Sequence, residues 1–279
     1  MTILVTGATG TVGSEVVKLL SQSNDVRLRV ASRTPKAGGV VFSYDDAASM
    51  TAACQGADAV FWVMPPAPDH QAATERFLFA AKNAGIKHIV KLSVVSMADP
   101  EPMIVARWHN EMETALRATG IPWTSLRPNG FMQNFLGNSA PRPDGGMYLP
   151  IGNGAASYID VRDIAAVAVK ALTEAGQPGK IYELTGPEAL TGTQVAQALS
   201  QVTGREIGYV DVPEAAALQA MLGAHMPPWM VDMILDIQLR TKNGTSAKVT
   251  QDVEMITGKP AATFLQFARD HAGRWISQS

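Results

Sequence analysis

The chain has little with which to bind polyanions, cross a bilayer or tie itself with covalent bonds. A single cysteine, Cys54, stands among 279 residues. No internal disulfide is therefore available, and no metal cluster can be built around it. It lies at the expected end of a helix, where packing accounts for it. Charged residues make up only 17% of the chain and the formal net charge is −2, so bulk electrostatics draw it neither to nucleic acid nor to anionic lipid. No apolar run reaches the length of a membrane span, and no basic segment precedes an apolar one at the start. The expected compartment is the cytoplasm. What is present is a 46% apolar composition, which suits a folded globule. The length suffices for one large α/β domain or a core with a smaller lobe. No internal repeat or low-complexity segment interrupts it.

The organising stretch is the first thirteen residues. Thr2 to Thr6 is uncharged and rich in β-branched residues, as in a strand buried on both faces. Gly7, Gly10 and Gly13 follow, and then Val16, Val17, Leu19 and Leu20 recur at helical spacing. Strand, glycine turn and helix is the context that makes such glycines a dinucleotide site. Gly7 permits the tight turn, Gly10 lets a pyrophosphate approach, and Gly13 lets the helix close on the strand. The first free N–H groups of the helix then face phosphate.

The second strand is expected over 26–31 and ends in Ser32, Arg33 and Thr34. A carboxylate at this place would bind the 2′-hydroxyl of NAD; an arginine flanked by hydroxyls suits the 2′-phosphate of NADP(H). NAD(H) is the less favoured cofactor. Strands are also expected at 40–42, 57–64, 87–92 and 121–127, alternating with helices at 45–53, 70–84 and 102–119. That alternation calls for a parallel sheet covered on both faces. The carboxyl end of the fourth strand, Val63, Met64 and Pro65, should border the cofactor, and Ser93 and Ser96 after the fifth should face the ligand crevice. Asp69 is the expected N-cap of the third helix, with His70 on its surface. His109 and Glu113 share a helical face. Residues 138–156, rich in Gly and Pro, read as an irregular excursion. A strand-like stretch, a helix and a strand are expected at 157–160, 161–174 and 180–184, and a capping box opens a helix at Thr191. The last part looks mainly helical. Its Met221, Met226, Met230 and Met233, with Trp229, suit either a core or an adaptable pocket. An apolar cleft is expected from Met132, Phe135, Met147 and this Met-rich tail, with Trp229 and Met230 as substrate contacts.

The opening turn and residues 126–135, 158–165 and 249–258 together resemble the NmrA-like branch of the atypical short-chain dehydrogenase/reductase superfamily, along the whole chain. The resemblance implies an α/β fold: a Rossmann-like, doubly wound parallel sheet with a small, mainly helical C-terminal lobe and a substrate cleft between them. The core would be mainly 1–136 plus 157–185, within a single NAD(P)-binding domain, and the substrate lobe mainly 137–156 and 186–279. It further implies that Gly7, Thr9, Gly10, Thr11, Val12 and Gly13 hold phosphate, that Arg33 takes the 2′-phosphate, and that residues 128–132, including Pro128 and Phe131, edge the nicotinamide with Ser93. The superfamily's adenine-side Asp falls on Ser43, a departure. Its Tyr-x-x-x-Lys pair is replaced by His109 to Glu113. Glu113 would favour the charged form of His109, making it the candidate proton donor. The implied activity is NADPH-dependent reduction of a flat, electron-poor acceptor such as a quinone, azo or triarylmethane compound. The alternatives are a non-catalytic NADP(H)-sensing regulator with a protein partner and, less well supported, a sugar-nucleotide epimerase. Neither nucleic acid nor membrane is an expected partner, and homodimerisation is left open.

Overall fold

A computed structural model describes residues 1–95 and 101–276. In chain order it runs β1 (Thr2–Val5), α1 (Thr11–Leu20), β2 (Arg27–Ser32), β3 (Val40–Val41), α2 (Ala47–Cys54), β4 (Ala59–Trp62), α3 (His70–Asn83), β5 (His88–Leu92), α4 (Ile104–Ala118) and β6 (Trp123–Pro128). A 3-10 turn (Met132–Leu136) leads to β7 (Gly146–Leu149), β8 (Ala155–Ala156), α5 (Val161–Thr173), β9 (Ile181–Leu184), β10 (Leu190–Thr191), α6 (Gly192–Thr203) and β11 (Gly208–Asp211). The chain ends in α7 (Glu214–Gly223), α8 (Pro228–Lys242), α9 (Asp252–Thr257), α10 (Phe264–Asp270) and α11 (Gly273–Ile276).

The chain forms two compact units, Met1–Pro128 with Val161–Glu183, and Asn129–Asp160 with Leu184–Ser279. The first is built on a seven-stranded sheet of order β3-β2-β1-β4-β5-β6-β9. Pairing is parallel at each junction from β3 to β6. The order reverses between β1 and β4, which is where open parallel sheets of this kind take their ligands. One face carries α1 and α5. The other buries Met50, Phe77, Met112 and Leu116 against Leu4, Val60, Trp62 and Ile89. Trp62 and Phe77 stack with ring centroids 4.9 Å apart. Cys54, at the end of α2 as expected, is fully buried in this layer, and burial pushes its thiol up to about 11. The fold is therefore the doubly wound, Rossmann-like α/β arrangement.

The second unit pairs β7 with β11 in parallel and β8 with β10 antiparallel. Its core gathers Met132, Phe135, Met147, Val195, Leu199, Phe264, Phe267 and Trp275. The capping box at Thr191 is present, with Gln194 reciprocating. Two local expectations fail. Asp69 stands at the start of α3 but makes no capping hydrogen bond. Residues 138–156 contain β7 and β8 rather than a purely irregular path; glycines and prolines flank each short strand and hide it from a periodicity reading.

Gly13 is the position on which the packing of α1 leaves no latitude. A Cβ there would lie 2.7 Å from the carbonyl carbon of Gly7 and overlap its oxygen. Neither backbone can move without breaking β1 or α1. Gly13→Ala should lower stability by about 1–3 kcal/mol or more, read as a fall in the urea midpoint. An unchanged midpoint would show that the turn can shift.

Candidate active site

The glycine turn has the geometry its spacing calls for. Gly7 has φ +59°, a conformation costly for any residue with a Cβ. A Cβ on Gly7 would also lie 2.9 Å from Cβ of Val63, so Val63 closes against the turn from the end of β4. The Gly10 N–H donates to the Gly7 carbonyl at 2.9 Å, and Gly10 begins α1 in an extended conformation with no side-chain cap. The first-turn N–H groups are thus left for an anion. Thr9, Gly10 and Thr11 are exposed, while Val12 and Gly13 are buried beneath them.

A polar knot holds this turn to β4. The Thr6 hydroxyl accepts from the Val63 N–H at 2.8 Å and donates to the Phe61 carbonyl at 3.1 Å. The Tyr44 hydroxyl donates to the Val63 carbonyl at 2.6 Å. Met64 points into the hydrophobic core, its sulfur accepting from the Thr74 hydroxyl, so its side chain is packing rather than lining. Pro65 is exposed. At the end of β2, Ser32 is half-buried and Arg33 and Thr34 are exposed. Among the described residues the Arg33 guanidinium has no hydrogen bond or ion pair. Ser43 accepts from the Asp45 N–H through its hydroxyl, a local turn contact.

The carboxyl ends of β5 and β6 and the adjoining face of α4 differ from expectation. Glu113 is 1% exposed and accepts from Ser93 at 2.7 Å, Ser125 at 2.5 Å, and the guanidinium groups of Arg127 at 2.8 Å and Arg117 at 2.5 Å. Burial raises its carboxyl, but the hydrogen bonds from Arg127, Ser125 and Ser93 and the Arg127 charge outweigh this and hold it below the usual range. Glu113 is therefore not the partner of His109. Ser93, expected at the cofactor and substrate, commits its hydroxyl to this carboxylate. Ser96 lies outside the described residues.

His109 is buried and its Nδ1 stands 2.7 Å from the Nζ of Lys91, which Trp62 covers at 5.4 Å from the ring centroid. Burial, then the Lys91 charge, then His70 drive the imidazole well below its ordinary range. This is a correction: His109 is neutral near pH 7, not favoured as the cation, because a carboxylate in helical register found stronger partners. His70 is also corrected. It is 3% exposed and bridges the Ala67 carbonyl and Glu111, at 2.9 and 3.1 Å. Lys91 was missed. Burial, partly offset by Glu113 and reinforced by Arg127, pulls its amine down to about 7. The available signal was one lysine inside the apolar run of a central strand.

The residues expected at the nicotinamide edge divide between the units. Pro128 is buried in the first, and its carbonyl accepts from the Val95 N–H. Phe131, in the second, is half-buried and bridges to Ile159. Met132, Phe135 and Met147 are 1–2% exposed within the second unit's core, so their side chains pack rather than line a cleft. Trp229, Met230, Met221, Met226 and Met233 are only half-buried, and α7 buries no residue at all.

Glu113→Gln should destabilise the protein by roughly 3–5 kcal/mol, because it strands the Arg127 guanidinium. The pH dependence has a definite sign. A carboxyl held low in the folded state stabilises above its unfolded value of about 4.3 and loses that contribution as pH falls through the folded value. The variant should therefore lose part of the acid-side decline in denaturation midpoint. An identical acid limb in both proteins would contradict the hub.

The chain is similar along its whole length to known proteins. The model of the NmrA-like family matches residues 1–255. An NAD(P)H azoreductase of Xenophilus azovorans is 40% identical over 279 residues, covering 97% of this chain and 98% of that one. Quinone oxidoreductase 2 of Escherichia coli is 29% identical over 276 residues, covering 95% and 96%. Its crystal structure with NADPH superposes with a TM-score of 0.85 at 27% identity, over 97% of this chain and 99% of that one. Triphenylmethane reductase of Citrobacter, at 23% identity, 98% and 100% coverage and a TM-score of 0.86, shows the shared fold. The glycine turn, the doubly wound sheet and these full-length matches make this chain a member of the NmrA-like family.

Proposed function

We propose that the protein is an NADPH-dependent reductase of flat, electron-poor small molecules, with quinones and azo compounds as the acceptor class, working in the cytoplasm as a monomer or homodimer. The observation that carries the redox half is the glycine turn joined to an exposed Arg33 with no carboxylate at the end of β2. The acceptor class rests on relatives that match end to end and carry the names azoreductase and quinone oxidoreductase. No described helix is long and apolar enough to cross a membrane. The regulator reading is not favoured: likeness to the NmrA regulator, at 19% identity, speaks for the fold alone.

The residues fit a dinucleotide. Gly7, Thr9, Gly10, Thr11, Val12 and Gly13 would hold the pyrophosphate through backbone N–H groups, since a Cβ on Gly10 would stand between phosphate and helix. Ser32, Arg33 and Thr34 would take the 2′-phosphate. Val63 and Pro65 would border the cofactor from β4, and Pro128 and Phe131 would edge the nicotinamide, with Ser93 acting there only through Glu113. Bound there, the nicotinamide supplies a hydride. His109 would deliver the proton that an anionic product needs, and Trp229 and Met230 remain the substrate contacts. The protein's contribution is chiefly orientation.

A panel of quinones and azo dyes should oxidise NADPH well above background; a flat response across the panel would overturn the reading. Cofactor choice is tested separately. Arg33→Ala should weaken NADPH binding by about one to two decades, the worth of a charge-assisted contact of roughly 1.5–3 kcal/mol. NADH, with no 2′-phosphate, should bind as before. Equal loss for both cofactors would mean that Arg33 supports the fold or stacks on adenine.

A further inference from the structure

Among the described residues of the first unit, the Lys91–His109 contact is unlike any other. It is a buried lysine on a buried imidazole, at 2.7 Å, with no carboxylate between them. Two facing nitrogens hydrogen-bond only if one donates and the other accepts. An ammonium has no lone pair and can only donate. With Lys91 charged, Nδ1 of His109 must therefore accept, and the one proton of the neutral ring sits on Nε2.

The groups around the pair leave this arrangement intact. Glu113, from α4, is taken up by Ser93, Ser125, Arg127 and Arg117. Arg127, from β6, adds positive charge. His70, from α3, is tied to Ala67 and Glu111. Trp62, from β4, offers its ring face, and the Leu92 carbonyl accepts a second Nζ hydrogen at 3.2 Å. Nothing among the described residues competes for Nδ1.

We propose that Lys91 is the positioning residue for proton delivery by His109: its ammonium sets the Nε2–H tautomer and refills the ring from behind as Nε2 gives its proton away. This rests on the reductase reading above. A quinone or azo acceptor that takes a hydride, the nicotinamide being oxidised by two electrons, is left with an anionic oxygen or nitrogen. The Nε2–H bond of His109 then breaks as the O–H or N–H bond of the product forms. An Nζ–H bond of Lys91 breaks as Nδ1–H forms. The ring stays neutral throughout, and Lys91 ends as a neutral amine; after product leaves, Nε2 takes a proton from water and the Nδ1 proton returns to Nζ, which restores the ammonium and the Nε2–H tautomer. Burial favours this direction, because the desolvated charge is the one discharged. A cationic triarylmethane dye differs: hydride alone neutralises it, and no proton is required.

The test begins without cofactor or substrate. Nitrogen-15 correlation spectra of the imidazoles in the cofactor-free protein, with His109→Asn to assign the resonance, should show Nε2–H and an accepting Nδ1 at pH 6. The Nδ1 shift should move as pH is raised through about 7, and Lys91→Met should abolish that movement. Lys91→Met should also fold at least as stably at pH 6, because a buried amine with a depressed pKa weakens the folded state below that pKa. In turnover, the same variant should slow quinone or azo reduction about a hundredfold more than dye reduction, the low end of what a positioned proton donor contributes. It should also remove the fall in kcat above about pH 7. An Nδ1–H tautomer in the wild type, or a Nδ1 shift indifferent to Lys91→Met, would overturn the proposal even if the enzyme reduces quinones well. An expected spectrum in a protein that reduces nothing would overturn the reductase reading instead. Equal slowing of quinone and dye would make Lys91 a structural residue only.

Discussion

The buried carboxylate of Glu113 is the constraint on which the first unit's ligand-facing edge depends. One side chain on α4 is held by hydroxyls from β5 and β6 and by two arginines. An ion taken out of water so completely must have its oxygens satisfied, or the desolvation cost is not recovered. The strand ends and the helix are therefore located together. Helical register offers His109 the carboxylate of Glu113, but the fold gives that carboxylate to Arg127 and Arg117 and gives His109 to Lys91. The partners are exchanged between elements.

That exchange explains which parts of the site could be read from the chain. The glycine turn was legible because each glycine answers a local backbone need: φ at Gly7, the extended start of α1 at Gly10 and helix–strand contact at Gly13. Sheet, helices and the capping box at Thr191 were legible because periodicity and caps are local as well. The partnership of His109 was not. Helical spacing brings Glu113 to the same face, but Ser93, Ser125 and Arg127 reach its oxygens from other strands, and only tertiary structure shows that. His70 misled for the same reason, since a polar residue in a first helical turn is buried only when another helix supplies a partner, here Glu111. The apolar residues Met132, Phe135 and Met147 were assigned to a cleft because hydrophobicity alone cannot separate a lined pocket from a packed core.

The two layers of the first unit also divide the energetic work. The side carrying Trp62, Phe77, Met112 and Leu116 is dense and apolar, and supplies burial. Into its upper margin the chain places a lysine, two histidines and a glutamate, none of which would be chosen for stability alone. Concentrating titratable groups there marks where the fold tolerates cost for chemistry.

Cys54 bears on the chemical environment in which such a protein would operate. Quinones are electrophiles as well as oxidants, and they add to thiolates. A thiol sealed at the end of α2 with its pKa pushed up to about 11 exposes almost no thiolate near neutrality. With no second cysteine in the chain, an electrophilic quinone finds no ready sulfur nucleophile. Exposure to reactive quinones would thus leave the protein's only thiol unmodified.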